Sequence, residues 1–290
     1  MPTKKKTRRV LAAAGVSVLT ALTVWTAWGN TALQCNAYAV SSPRLPAPFD
    51  GCRIAHISDL HNAEMGEQNQ HLLALLREAA PDVIAITGDL IDSRRTDVAV
   101  ALQFAGQAVT IAPCYYVPGN HEARLPEEYA ALKAGLTALG VTVLENQRVT
   151  VTKDGAALTI LGVQDPSFQT DYLSGDTASV MAAQLQGLVG EGEGFTLLLS
   201  HRPELFATYV SFDVDLALTG HAHGGQFRLP VVGGVLAPNQ GLFPRYDAGK
   251  YTQGNTTMVV SRGIGNSLFP FRFNNRPEVL LVELHRQENP

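Results

Sequence analysis

Five short polar clusters carry residue types that bind divalent cations: Asp59-Leu60-His61, Gly88-Asp89, Gly119-Asn120-His121-Glu122, His201, and Gly220-His221-Ala222-His223. Each directly follows an apolar run. Two divalent ions held about 3.5–4 Å apart need a shared carboxylate, neutral imidazoles and neutral oxygens, with positions left open for water and a phosphate. Two Asp, one Asn and several His meet that need. A single Asp-x-His or Gly-Asp usually marks no more than a turn; the ordered set is what singles out a two-metal site that handles phosphate.

The clusters are far apart in the chain, so the fold must gather them. Apolar runs over 53–57, 83–87, 115–117, 158–163, 195–200, 214–219, 258–261 and 279–284 have the length and β-branched content of buried strands. Helical patterns over 70–79, 97–108 and 127–139 separate the early ones, the last opening after Pro126 and stopping at Gly140. This alternation predicts α/β layering, and the shorter later connections predict a second, partly antiparallel sheet facing the first. Every cluster then falls just beyond the carboxyl end of a strand, where open α/β sheets collect ligands. Gly88 and Gly119 permit tight turns there. His221 and His223 would point oppositely in extended backbone, so a loop after Gly220 is expected to aim them at different ions.

At 290 residues and 46% hydrophobic content the chain can bury one large core. Its formal charge of −4 conceals five basic residues, Lys4, Lys5, Lys6, Arg8 and Arg9, ahead of an acidic remainder. That balance gives no support for nucleic acid as a stable partner. No charge occurs from Val10 to Gly29, enough residues to cross the ~30 Å hydrocarbon layer as a helix. Basic residues before it and Trp25 and Trp28 at its far end orient the remainder outside the cytoplasm. The expected organisation is a basic cytoplasmic tail at 1–9, a membrane anchor or signal segment at 10–29, a linker and entry strand at 30–51, and a catalytic domain at 52–290 beginning near Cys52. Ala37-Tyr38-Ala39 has the small-x-small pattern of a cleavage site, and cleavage would make the protein secreted. Cys35, Cys52 and Cys114 lack metal-site spacing; the last two read as small core residues, and a Cys35–Cys52 bridge is open outside the cytoplasm.

The ordered motifs, spread from about Arg53 to Leu284, resemble the calcineurin-like metallophosphoesterase superfamily. More narrowly, the N-terminal apolar segment, Asp59-Leu60-His61-Asn62, Gly220 through Gln226, and Pro270-Phe271-Arg272-Phe273 followed by Pro277-Glu278 are similar to bacterial membrane-associated phosphodiesterases of the YkuE and YaeI type. The resemblance implies a four-layer sandwich, two facing mixed β-sheets flanked by helices. It implies one metal held by Asp59, His61 and His223, a second by Asn120, His201 and His221, and Asp89 bridging them. The ions would be two divalent metals, manganese, iron or zinc, and a hydroxide shared by them would attack phosphorus in line. His121 would stand beside the metals, bonding a phosphate oxygen or protonating the leaving group, oriented by Glu122 or Asp92.

Asn62 and Arg272 are the expected substrate-binding residues, with Arg245 and Arg262 as further guanidinium candidates for a phosphate or headgroup. Phe243, Leu268, Phe269, Phe271 and Phe273 form either an acyl-chain groove or a cap on the second sheet's core. His56 reads as a hydrogen-bonded strand residue, His71 as helix surface and His285 as a solvated end. The expected activity is hydrolysis of a lipid-linked or nucleotide-linked phosphodiester at the membrane. The alternatives are a catalytically silent, membrane-tethered metal-binding module of the same fold, and a nuclease, which the acidic remainder opposes.

Overall fold

The computed structural model describes residues 4–172, 175–190, 194–267 and 269–287, so residues 1–3 of the expected tail lie outside the described residues. A 28-residue helix, α1 (Lys4–Thr31), leads directly into strand β1 (Gln34–Ser42). The chain continues through β2 (Arg53–Ile57), α2 (Gln70–Ala79), β3 (Val83–Thr87), α3 (Val98–Ala108) and β4 (Cys114–Val117). A short α4 (Asn120–Ala123), then α5 (Pro126–Ala138) and β5 (Thr142–Val143), complete the first half. The second half runs β6 (Gln147–Lys153), β7 (Ala156–Gly162), α6 (Thr177–Gln186), β8 (Thr196–Leu199), α7 (Phe206–Ser211) and β9 (Leu216–Thr219). Two small hairpins follow, β10 (Arg228–Leu229) with β11 (Gly233–Gly234), and β12 (Leu236–Ala237) with β13 (Gly241–Leu242). The last strands are β14 (Gly249–Gln253), β15 (Thr256–Val260) and β16 (Glu278–Arg286).

Two six-stranded mixed sheets result, ordered β1-β16-β2-β3-β4-β5 and β14-β15-β9-β8-β7-β6. Strand alternation builds the layers. Ile54, Ala85, Leu197, Leu199, Leu216 and Leu218 face inward and make the dry core between the sheets. Their neighbours Ala55, Ile57, Ile84 and Ile86 face outward onto α2, α3 and α5, while Leu198 and Ala217 face α6 and α7. The architecture is therefore the expected four-layer α/β sandwich.

The segment expected as linker and entry strand contains β1. β1 pairs parallel with β16 along nine residues, from Gln34 opposite Glu278 to Ser42 opposite Arg286, so the packed body begins well before Cys52. Cys35, Cys52 and Cys114 are all unpaired. Cys35 sits opposite Val279, whereas the Cys52 carbonyl accepts from Leu284, five residues further along β16. That offset, about 16 Å at strand rise, puts the two sulfurs beyond disulfide reach.

Candidate active site

All five clusters sit at one rim. Asp59 and His61 follow β2, Asp89 follows β3, and Asn120 and His121 open α4 after β4. From the facing sheet, His201 follows β8, and His221 and His223 follow β9. Tight placement forces unusual backbone: Asp59, His61, Asp89, His221 and His223 all adopt positive φ, between 46° and 65°. Such conformations are rare for non-glycine residues and persist only where the surroundings over-determine them. Glycines make room beside them, since a Cβ on Gly119 would overlap the Asp89 carboxylate and one on Gly220 would overlap Ser58 Oγ and Asp59 Oδ2.

Among the described residues three groups of buried donors emerge, one of them, His61, Asp92 and His121, sharing His61 with the first of the other two. In that first group, Asp59, His61 and His223 converge, with His61 Nε2 and His223 Nε2 3.2 Å apart and His223 Nε2 3.4 Å from Asp59 Oδ1. In the other, Asp89, His201 and His221 converge, with His201 Nε2 3.2 Å from Asp89 Oδ2, from Asn120 Oδ1 and from His221 Nδ1. Asp89 Oδ2 also lies 3.6 Å from His61 Nε2, so this carboxylate stands between the groups. His201 Nδ1 donates to the Thr87 carbonyl at 2.7 Å, and His221 Nε2 donates to Asn239 Oδ1 at 2.9 Å. Each ring is thereby held with its other nitrogen facing the cluster.

The electrostatics test whether cations fit. Burial works to raise Asp59 and Asp89, but the imidazoles of His223 and His61 on the first, and of His201 and His121 on the second, outweigh it and hold both far below the usual carboxylate range. Burial likewise works to lower His201 and His61; carboxylates overcome it, driving His201 up to about 10 and raising His61. His223, lowered by burial to about 3, and His221, pushed well down by burial and the Arg202 guanidinium, remain neutral. Each group thus combines ionised carboxylate, neutral imidazole and one imidazole whose affinity for a proton is raised by the carboxylates around it. Divalent cations can take the place of such protons, and the donor set fits them.

His121 is oriented by a group the sequence does not reveal. The backbone N–H of Ser93 donates to His121 Nδ1 at 2.9 Å, so the proton of the neutral ring resides on Nε2, which lies 4.0 Å from Asp89 Oδ2 and 3.3 Å from Ser267 Oγ. Burial lowers its pKa to about 4. Glu122, expected to orient His121, instead accepts backbone N–H groups of Asp89, Gly119 and Ile91 at 2.8–3.1 Å, binding the loops after β3 and β4 together. Asp92 accepts from Arg94 N at 2.8 Å and lies 3.7 Å from His61 Nδ1.

The clusters form the floor of a cavity of about 400 Å³. Its walls include Arg94, Arg124 and Tyr172 together with Leu236, Pro238 and Phe269. Tyr172 is sandwiched between the guanidiniums of Arg124 at 4.4 Å and Arg202 at 4.9 Å. The fully buried Arg202 forks onto Asp165 at 2.5 and 2.9 Å and reaches Asn239 at 2.8 Å. None of Arg94, Arg124, Tyr172, Asn239 or Arg202 stands out in the sequence.

Both residues expected to bind substrate lie elsewhere. Asn62 turns to the Arg95 carbonyl, and Arg272 is buried behind His223, spending its guanidinium on Arg262 O at 2.7 Å, Asn266 Oδ1 at 3.0 Å and Gly265 O, with Nη2 3.4 Å from His223 Nδ1. Burial lowers Arg272 to about 10. Arg245 stacks on Tyr246, and Arg262 faces Glu278 at 3.5 Å; neither lines the cavity. Of the apolar group, Phe269 reaches the cavity, Phe243 and Phe271 are exposed, and Leu268 lies outside the described residues.

Two mixed sheets meeting at a rim of paired carboxylates and imidazoles define a metallophosphoesterase, a hydrolase of phosphoesters. The Calcineurin-like phosphoesterase family profile matches residues 52–225, and the chain belongs to that family. It is 30% identical over 259 residues to the metallophosphoesterase YkuE of Bacillus subtilis, covering 87% of this chain and 85% of that one. It is 29% identical over 243 residues to the phosphodiesterase YaeI of Escherichia coli, covering 82% and 83%. The protein TT1561 of Thermus thermophilus shares the fold, with a TM-score of 0.51 at 15% identity over 73% of this chain and 90% of that one.

Proposed function

We propose that the chain is a dinuclear-metal phosphodiesterase acting at a membrane on a lipid-linked or nucleotide-linked phosphodiester. The observation that carries this reading is Asp89, which stands between two donor groups and lines a cavity whose walls carry both arginines and apolar residues. In this proposal Asp59, His61 and His223 hold one divalent ion, Asn120, His201 and His221 hold the other, and Asp89 serves both. Manganese, iron and zinc all suit such mixed oxygen and imidazole donors. When bound, the ions supply Lewis-acid polarisation of the phosphoryl group and activation of water.

The protein's own groups do the rest. Arg94 and Arg124 would neutralise and orient the phosphate from the wall. His121 would donate its Nε2–H to a phosphoryl or leaving oxygen. Its Nδ1 already accepts from Ser93 N–H, an arrangement that opposes the imidazolium and favours a neutral donor. The preference for a diester rests on YaeI being a phosphodiesterase and on the apolar wall, which suits a second ester substituent. The membrane setting rests on α1, in which Leu11–Thr31 is long and apolar enough to cross a bilayer and is not buried against the domain.

The test is hydrolysis of bis-p-nitrophenyl phosphate and p-nitrophenyl phosphate by the full chain, stripped of metal and then given Mn²⁺, beside Asp89→Asn. Metal-restored diester turnover that Asp89→Asn abolishes is expected. Binding of two ions without turnover of any ester, lipid phosphodiesters included, would instead indicate the catalytically silent tethered module.

A further inference from the structure

We propose that the catalytic domain docks onto the bilayer through the two small hairpins and Phe271, so that the rim of the cavity rests at headgroup depth in the leaflet where α1 emerges. This rests on reading α1 as a membrane span, which the experiment below checks separately.

Helix and domain are joined rigidly. Only two residues separate α1 from β1. Asn30, near the end of the helix, donates to Arg272 O at 2.9 Å and accepts from Arg272 N at 2.7 Å, and Asn266 Nδ2 approaches it at 3.3 Å. Arg276 lies over the Trp28 ring at 4.9 Å while bonding the carbonyls of Ala32 and Leu33 at 2.6 and 3.0 Å. The domain cannot swing freely from such a junction.

Depth follows from the register of α1. Tryptophans collect at the membrane–water interface, which places Trp25 and Trp28 among the headgroups. Pro270 and Phe271 share a groove with Leu22, Thr26 and Ala27. Leu22 is nearly a turn deeper than Trp25, about 4.5 Å at helical rise. The groove runs on to Asn30, so Phe271, 45% exposed, lies level with Trp25 and Trp28 at the membrane–water interface.

The hairpins continue this surface. Arg228 N donates to Phe273 O at 3.0 Å, and the Phe227 ring packs on those of Phe269 and Phe271 at 5.2 and 5.5 Å, fixing the β10–β11 hairpin to the segment that grips α1. Val235 couples the second hairpin to the first, donating to Phe227 O and accepting from Phe243 N, both at 2.8 Å. Val231 and Val232 at the turn of the first hairpin, and Leu242 and Phe243 at the open end of the second, are 56% exposed or more. Val231 and Phe243 hold these positions at φ 71° and 54°, which bulky residues rarely adopt. Apolar side chains presented outward beside a membrane span have the chemistry of an interfacial anchor. The same stretch reaches the site: Ser267, one residue beyond Asn266, touches His121 Nε2 at 3.3 Å, and Phe269 lines the cavity.

The test places the full chain in vesicles of equal parts phosphatidylcholine and phosphatidylglycerol, the former brominated at the headgroup end of its acyl chains. Trp25 and Trp28 are the only tryptophans. In a Trp25→Phe, Trp28→Phe background, Phe243→Trp is expected to be quenched by the brominated lipid. An unquenched Phe243→Trp, with Trp25 and Trp28 quenched in the parent, overturns the docking surface and leaves α1 as a span. Loss of both signals overturns α1 as well. Independently, Val231→Asp with Phe243→Asp should lower turnover of a vesicle-borne lipid phosphodiester by about tenfold and leave bis-p-nitrophenyl phosphate hydrolysis unchanged. Equal turnover of the vesicle-borne ester also refutes the docking surface.

Discussion

At the scale of single residues, the rim is governed by where protons are allowed. The Ser93 N–H that fixes His121 gives the ring a defined donor atom, so His121→Ala should lower kcat by about 10²–10⁴ with the bound-metal count, read by elemental analysis, unchanged. Further from the chemistry, Asp165 is raised by burial but lowered more strongly by the Arg202 guanidinium, to about 2. A depressed folded pKa means that its contribution is complete above the ordinary Asp value of about 3.9 and is lost as pH falls toward 2. Asp165→Asn should cost up to about 3 kcal/mol by leaving the buried Arg202 with Glu204, at 3.2 Å, as its remaining carboxylate partner, and the deficit measured by urea unfolding should shrink as pH drops through that window. The sequence makes the Asp and His clusters legible because each breaks an apolar run. It does not reveal Arg202 and Asp165, which are 37 positions apart and meet only through the fold. Nor is the direction of the Arg272 side chain legible, since its bonds to the carbonyls of Arg262 and Gly265 are set by packing.

At the scale of elements, the loops beyond the strands carry both the function and the strain. Glu122 clamps two of them, and Gly220 lets a third approach Asp59 closely. Gly220→Ala should force the loop after β9 away from Ser58 and Asp59, destabilising the protein by about 1–3 kcal/mol and weakening metal uptake; thermal melting with a metal titration reads both. Buried strands are legible because their residues are apolar on both faces, as in Val83–Thr87 and Thr196–Leu199. α6 escapes notice because its apolar residues, Met181, Leu185 and the nearby Leu188, are diluted among alanines and glutamines. The extent of β1 escapes because Gln34–Ser42 alternates exposed and partly buried positions with few β-branched residues, and its partner β16 is more than 240 positions away.

For the whole molecule, β1 is both the edge of the first sheet and the continuation of α1. A chain begun at Ser41 would lose that strand and bare the edge of β16. Relative to a chain begun at Leu33, it should melt lower by about 5 °C or more and aggregate through the open edge. The layered class of the fold is legible from strand–helix alternation, whereas the junction of helix and edge strand is not, because it depends on pairing between the two ends of the chain. The same closure fastens the sheets to each other at opposite ends. His221 N donates to Asp59, and His201 to Thr87 O, at the catalytic rim; Ser42 and Arg44 hold Asp215 at 2.8 Å at the other end. With a dry core between these two fastenings, the gap at the rim has a fixed gauge. In the proposed function such a gap would hold an ion of the wrong radius less tightly, in the way a caliper sorts by size.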